Sequence, residues 1–216
     1  MSAAIEPTAC ATVDGLRLEA ELARATDTTS TGAPRAAAVL CHPHPQAGGT
    51  MRSIVIGALF DALPEAGVTC LRFNFRGVEG SQGVHDEGRG EVLDAEAAIA
   101  RLDAEVPPST PLLLAGWSFG ADVALATVVD RVAAWFAVAP PLRSVQDFSR
   151  VSRDERHKLL ALAEHDEIRS AASVIDETRD WTATDIAVVG GASHFFVGRT
   201  DRLVTLAIDE VDRLVG

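Results

Sequence analysis

The chain has 216 residues, 47% hydrophobic and 23% charged, with 31 acidic and 19 basic side chains and a net charge of −12. That length supports one sizeable core, so a single domain over residues 1–216 is expected. The acidic balance argues against a nucleic-acid partner, which needs a basic footprint, and no apolar run reaches the ~18–20 residues of a membrane span.

The opening residues hold an acid and a proline and lack the basic start and apolar stretch of a secretion signal, so a cytoplasmic location is expected. Cys10, Cys41 and Cys70 are odd in number and form no CxxC pair; they read as buried free thiols. Alternating runs flank Asp14-Gly15, which predicts a hairpin. The polar connector Ala25–Arg35 is expected to be mobile, as are residues 1–4. From there, short Val-, Leu- and Ala-rich runs alternate with helical patterns. Strands are predicted at Ala36–His42, Gly67–Phe75, Pro111–Gly116, Ala133–Ala139, Lys158–Ala163 and Asp185–Gly190. Helices are predicted around Met51–Ala66, Gly88–Glu105, Ser118–Asp130 and Ser170–Trp181, with a last one from about Thr200. A hairpin followed by strand–helix units makes a mostly parallel sheet covered on both faces.

The most informative stretch is PLLLAGWSFGADVALA, where a buried strand ends in Gly116-Trp117-Ser118-Phe119-Gly120 and leads into an apolar helix. In G-x-S-x-G a serine on a sharp strand-to-helix turn exposes its hydroxyl, and side chains at the flanking positions would strike neighbouring backbone. The competing reading is a serine that only caps the helix. A serine nucleophile needs a base and an acid that orients it. An apolar strand closing on Glu164-His165-Asp166 supplies the acid, and the loop after Asp185–Gly190 carries His194. Asp166 is preferred because it stands just past the strand end; Glu164 and Glu167 are its neighbours, and Asp185 lies too early. His165 reads as an exposed loop residue, and His85 and His157 as surface residues.

The stretch CHPHPQAGG follows the third strand, where acyl transfer requires a second oxyanion donor beside the backbone N–H of Phe119. Pro43 and Pro45 have no N–H to give, which leaves His44 and Gln46, with His44 favoured. A metal at His42 and His44 lacks further ligands at a plausible spacing, so none is expected. The histidines are expected to shape a corner.

Together these segments resemble the α/β-hydrolase superfamily, and within it a group of small, lidless bacterial hydrolases. The resemblance rests on Cys41–Pro45 with Gly48–Met51, RFNFRGVEGSQG from Arg72, GWSFGA from Gly116 and SHFFVGR from Ser193. It implies an α/β fold: a twisted, mostly parallel sheet with an N-terminal antiparallel hairpin, helices on both faces and little or no cap. It also implies hydrolysis of an ester or related acyl bond in a small-molecule substrate, without a cofactor. The segment from Ala139 to Lys158 has room for one short helix, which argues for an open site. Trp117, Phe119, Gln46 and Phe195 are the candidate substrate-binding residues. Phe148 and Phe196 lie nearby in this reading, and Phe195 and Phe196 equally read as packing for the His194 loop. The group favours glycine at Glu79, which reads here as a solvated loop acid. Arg76 and Arg199 recur in the pattern without a physical account beyond ion pairing.

The leading expectation is a carboxylesterase-like serine hydrolase using Ser118, His194 and Asp166. A thioesterase or amidase would make the same demands. A catalytically silent hydrolase fold used as a binding module is the reading from another class. The oligomeric state is not legible.

Overall fold

The short apolar runs divide their side chains strictly between two layers. In β3 (Ala36–Cys41), Ala37, Val39 and Cys41 enter one buried cluster while Ala36, Ala38 and Leu40 enter the other. In β5 (Leu112–Trp117), Leu112 and Leu114 face the first, and Leu113, Ala115 and Trp117 the second. This period of two on strands buried from end to end is what a sheet covered on both faces demands.

The structure is a computed structural model and describes residues 3–28, 32–145 and 147–216. The remaining strands are β1 (Ile5–Ala11), β2 (Arg17–Ala23), β4 (Val68–Phe73), β6 (Ala134–Val138), β7 (Lys158–His165) and β8 (Thr184–Ser193). They form one eight-stranded sheet in the order β1-β2-β4-β3-β5-β6-β7-β8. β1–β2 and β2–β4 pair antiparallel, and every later pair is parallel. Helices α1 (Ile54–Ala62) and α6 (Thr200–Val215) cover one face. α2 (Arg89–Asp103) and α3 (Phe119–Ala126) cover the other, with the short α4 (Ser149–Arg153) and α5 (Ala171–Glu177). The fold class and the predicted hairpin hold, and α4, five residues long, is all that occupies the place of a cap. No helix among the described residues is long and apolar enough to cross a membrane.

Several boundaries moved for local reasons. The helix expected over Met51–Ala66 is α1 followed by a 3-10 turn at Leu63–Ala66, where Pro64 and left-handed Gly67 end it. The helix from Ser118 stops at Ala126 rather than Asp130. Beyond it, the carbonyls of Thr127, Val128 and Val129 accept from Trp135, Arg150 and Arg156 instead of from a next turn. The connector is held at its ends: Ala25 and Thr26 donate backbone N–H groups to Thr69 Oγ1 and the Pro64 carbonyl, and Arg35 to the Gly67 carbonyl. Residues 29–31 of the connector, and Met1 and Ser2, lie outside the described residues.

The register places Cys41 opposite Gly116, Trp117 opposite Val138 and His165 opposite Ser193. The carboxyl ends of β3, β5, β6, β7 and β8 therefore share one edge, where open α/β sheets collect their ligands.

Candidate active site

Ser118 sits where β5 becomes α3, with φ 56° and ψ −122°, outside the ordinary regions for a residue bearing a side chain. The turn closes only because its flanks are glycine. A Cβ on Gly116 would lie 2.1 Å from the Gly120 carbonyl oxygen, and one on Gly120 would lie 2.3 Å from that of Cys41. The Ser118 N–H is held by the Val138 carbonyl at 2.8 Å, so strain at the serine is carried by the central strands. The side chain makes no capping bond to the helix, contrary to the competing cap reading.

The hydroxyl instead meets His194: Nε2 lies 2.9 Å from Ser118 Oγ, and Nδ1 lies 2.8 Å from Asp166 Oδ2. Asp166 can only accept at Nδ1, so that nitrogen carries the proton and Nε2 is free to accept from the serine. The other carboxylate oxygen of Asp166 accepts backbone N–H bonds from Ile168 at 2.8 Å and Arg169 at 3.0 Å. Burial pushes the Asp166 pKa up, but the bonds from His194, Arg169 and Ile168 outweigh it and leave the carboxyl below its ordinary range.

The structure gives the three neighbouring acids separate partners. Asp166 meets the imidazole, Glu167 accepts the backbone N–H of His194 at 3.1 Å, and Glu164 accepts that of Gly191 at 2.7 Å. Two acids thus pin the loop on which the histidine rides. Arg199 supports the same loop by donating to the carbonyls of Gly190 and Gly198. Trp117 donates its indole N–H to the His194 carbonyl at 3.1 Å. Phe196 is fully buried beneath, whereas Phe195 is half exposed. Of the two phenylalanines, only Phe196 serves purely as packing.

His42 and His44 part company. His42 is fully buried, its Nδ1 2.6 Å from the Pro43 carbonyl and its Nε2 accepting the Phe75 N–H at 3.0 Å. Burial pulls its pKa down to about 4, so it is a neutral strut between the β3 and β4 ends. His44 opens a 3-10 turn, Pro45–Ala47. A Cβ on Gly49 would stand 2.1 Å from the Pro43 carbonyl oxygen, so that residue must be glycine for the loop to fold back past itself. Among the described residues, the backbone N–H groups of His44 and Phe119 have no hydrogen-bond partner.

These groups border a cleft of about 440 Å³ lined by His44, Ile54, Trp117, Ser118, Phe119, Ile168, His194 and Phe195 among others, with Arg143 at its mouth. Trp117, Phe119 and Phe195 are thus where they were expected. Gln46 is not: it is exposed, lines the adjoining hollows, and gives its N–H to His44 Nδ1. Phe148 also misses the cleft, packing on Trp181 at 6.0 Å.

Two surface readings, of His85 and His157, need correction, while the exposed loop acid Glu79 and the ion-paired Arg76 stand as expected with their partners now defined. The His85 side chain is only 10% exposed, packed with tilted rings against Phe119 and His44, with Nδ1 2.9 Å from Glu91 Oε1 but without a hydrogen bond. His157 bridges Glu210 of α6 and Asp185 of β8. Glu79 accepts from Asn74 at 2.7 Å and Arg52 at 3.2 Å; its φ of 45° is the state in which glycine is favoured. Arg76 is buried and forks onto Asp94, with a further bond to Asp14 in the hairpin turn. The partners of Arg76 and His157 lie 18 to 62 residues away in sequence, so no local signal announced them. Among the described residues, no group of three or more His, Cys, Asp or Glu side chains could hold a metal.

The fold and this arrangement define an α/β hydrolase without a lid. No protein-family model matches the chain. It is 35% identical over 195 residues to an uncharacterized protein of Rickettsia prowazekii, covering 86% of this chain and 80% of that one. Among solved structures, an alpha-beta serine hydrolase homologue from Coxiella burnetii is 32% identical with a TM-score of 0.84, covering 95% of this chain and 96% of the other. An α/β serine hydrolase without lid from Xanthomonas campestris is 30% identical with a TM-score of 0.80, covering 97% and 94%. The chain belongs to the α/β-hydrolase family, and it is a hydrolase.

Proposed function

We propose that the protein is a serine hydrolase of the carboxylesterase type, acting through Ser118, His194 and Asp166. The observation that carries this reading is the continuous hydrogen-bonded line from Asp166 through His194 to Ser118, ending at the cleft beside two unpartnered backbone N–H groups.

In this reading Ser118 Oγ attacks the substrate carbonyl carbon as its proton passes to His194 Nε2. Asp166 stabilises the imidazolium without taking its proton. The carbonyl oxygen, now an anion, is received by the N–H groups of Phe119 and His44, whose direction is set by the α3 N-terminus and the two prolines. The imidazolium then protonates the leaving oxygen as its bond to carbon breaks, leaving an acyl-serine. Water repeats the sequence: His194 takes its proton, the hydroxide joins the acyl carbon, and Ser118 Oγ departs with the proton returned. The similarity to the Coxiella serine hydrolase homologue and the Xanthomonas serine hydrolase supports the serine as nucleophile here.

The test is labelling by a fluorescent phosphonate beside hydrolysis of short p-nitrophenyl esters, on wild type and Ser118→Ala. Labelling should vanish in the variant, and turnover should fall by on the order of 10³-fold or more. A folded wild type that neither labels nor turns over would overturn the assignment in favour of a binding module.

A further inference from the structure

The cleft is apolar apart from its reacting groups, and Arg143 is the one permanently charged side chain among the described residues lining it; no carboxylate lines it. In a chain with more acids than bases, most arginines are paired, as Arg24, Arg35, Arg76 and Arg156 are. The Arg143 guanidinium is exposed and has no ion-pair or hydrogen-bond partner among the described residues.

Its backbone, by contrast, is fastened to the nucleophile's own helix. Asp122 lies four residues beyond Ser118 and is fully buried. Its carboxylate accepts three successive backbone N–H bonds, from Leu142 at 2.9 Å, Arg143 at 3.0 Å and Ser144 at 2.8 Å. Leu142 adopts a left-handed φ of 52° to make this possible. A buried acid and a strained residue thus hold an unpaired arginine over an apolar cleft, an arrangement suited to receiving an anion.

The position also says which end of the substrate carries that anion. Arg143 and Ser144 line the adjoining hollow with His44, Phe119 and Glu87, whereas Trp117, Ile168, His194 and Phe195 line the cleft but not that hollow. His194 must protonate the leaving oxygen, so the leaving group lies at its end, against half-exposed Ile168 and Phe195. The acyl chain then runs toward Arg143.

We propose that Arg143 binds a carboxylate on the acyl group, so that the substrates are half-esters of dicarboxylic acids with an apolar leaving group. This deepens the ester-hydrolase reading above and rests on it.

The experiment compares kcat/KM for p-nitrophenyl hydrogen adipate and its methyl-capped diester, each corrected for spontaneous hydrolysis, in wild type, Arg143→Gln and Arg143→Lys. A charge-assisted contact predicts a wild-type preference for the free acid of roughly 10- to 100-fold. That preference should shrink with added salt, collapse toward one in Arg143→Gln and persist in part in Arg143→Lys. The capped ester reports that each variant is folded and active. Equal rates on the two esters in wild type would overturn the anion site and leave the hydrolase standing. A preference undiminished in Arg143→Gln would overturn the assignment to this residue. Turnover of neither ester, with no phosphonate labelling, would overturn the hydrolase reading and this inference with it.

Discussion

Mild acid should destabilise this protein through His42. Its Nε2 accepts the Phe75 N–H at 3.0 Å, so protonating that nitrogen would set two donors face to face inside the core. Burial depresses its pKa from the ordinary 6.5 to about 4, against a smaller upward pull from the Pro43 carbonyl. The sign follows from linkage: between those values the unfolded chain binds the proton that the folded chain refuses. Stability is therefore complete above about pH 6.5, falls as the pH drops, and levels off below about pH 4. The full shift corresponds to about 3 kcal/mol, of which about 1 kcal/mol is lost between about pH 7.5 and 5.5. The assay is urea unfolding of wild type and His42→Gln at those two pH values. Glutamine keeps an acceptor for the Phe75 N–H but does not titrate, and every other group is common to both proteins. Wild type should lose about 1 kcal/mol more than the variant over this interval. Equal losses would refute the claim that His42 is held neutral by its burial.

Two further outcomes follow from the site. In Asp166→Asn, the remaining carbonyl oxygen can satisfy the Ile168 and Arg169 N–H groups, which turns the amide NH₂ toward His194 and forces the wrong tautomer. Turnover should fall by on the order of 10³–10⁴ with little change in melting temperature, and a loss under tenfold would point to another acid. In Asp122→Ala, the buried Leu142 N–H and the part-buried Arg143 and Ser144 N–H groups lose their acceptor, at a cost of about 2–4 kcal/mol. Calorimetry should show melting lowered by roughly 5–15 °C, and a melting point within about 1 °C of wild type would show that the carboxylate does not hold this loop.

The sequence by itself determined what depends on neighbours along the chain. The alternation in Ala36–Cys41 and Leu112–Trp117 specifies two-sided burial because strand side chains repeat every two residues. Gly116 and Gly120 specify the sharp corner because the atoms they avoid belong to the turn and to an adjacent strand end. The order Ser118, Asp166, His194 was readable because each follows a recognisable apolar strand. Tertiary structure decided the separate partners of Glu164, Asp166 and Glu167, which share one four-residue stretch but face Gly191 N–H, the imidazole and His194 N–H. It also decided that His42 is a strut, that Gln46 turns away from the cleft, and that Arg76 is buried on Asp94 and Asp14. For His42 and Arg76 the deciding partners, Phe75, Asp94 and Asp14, lie far along the chain. Which loops meet depends on strand order and register across the whole sheet, and no local pattern carries that.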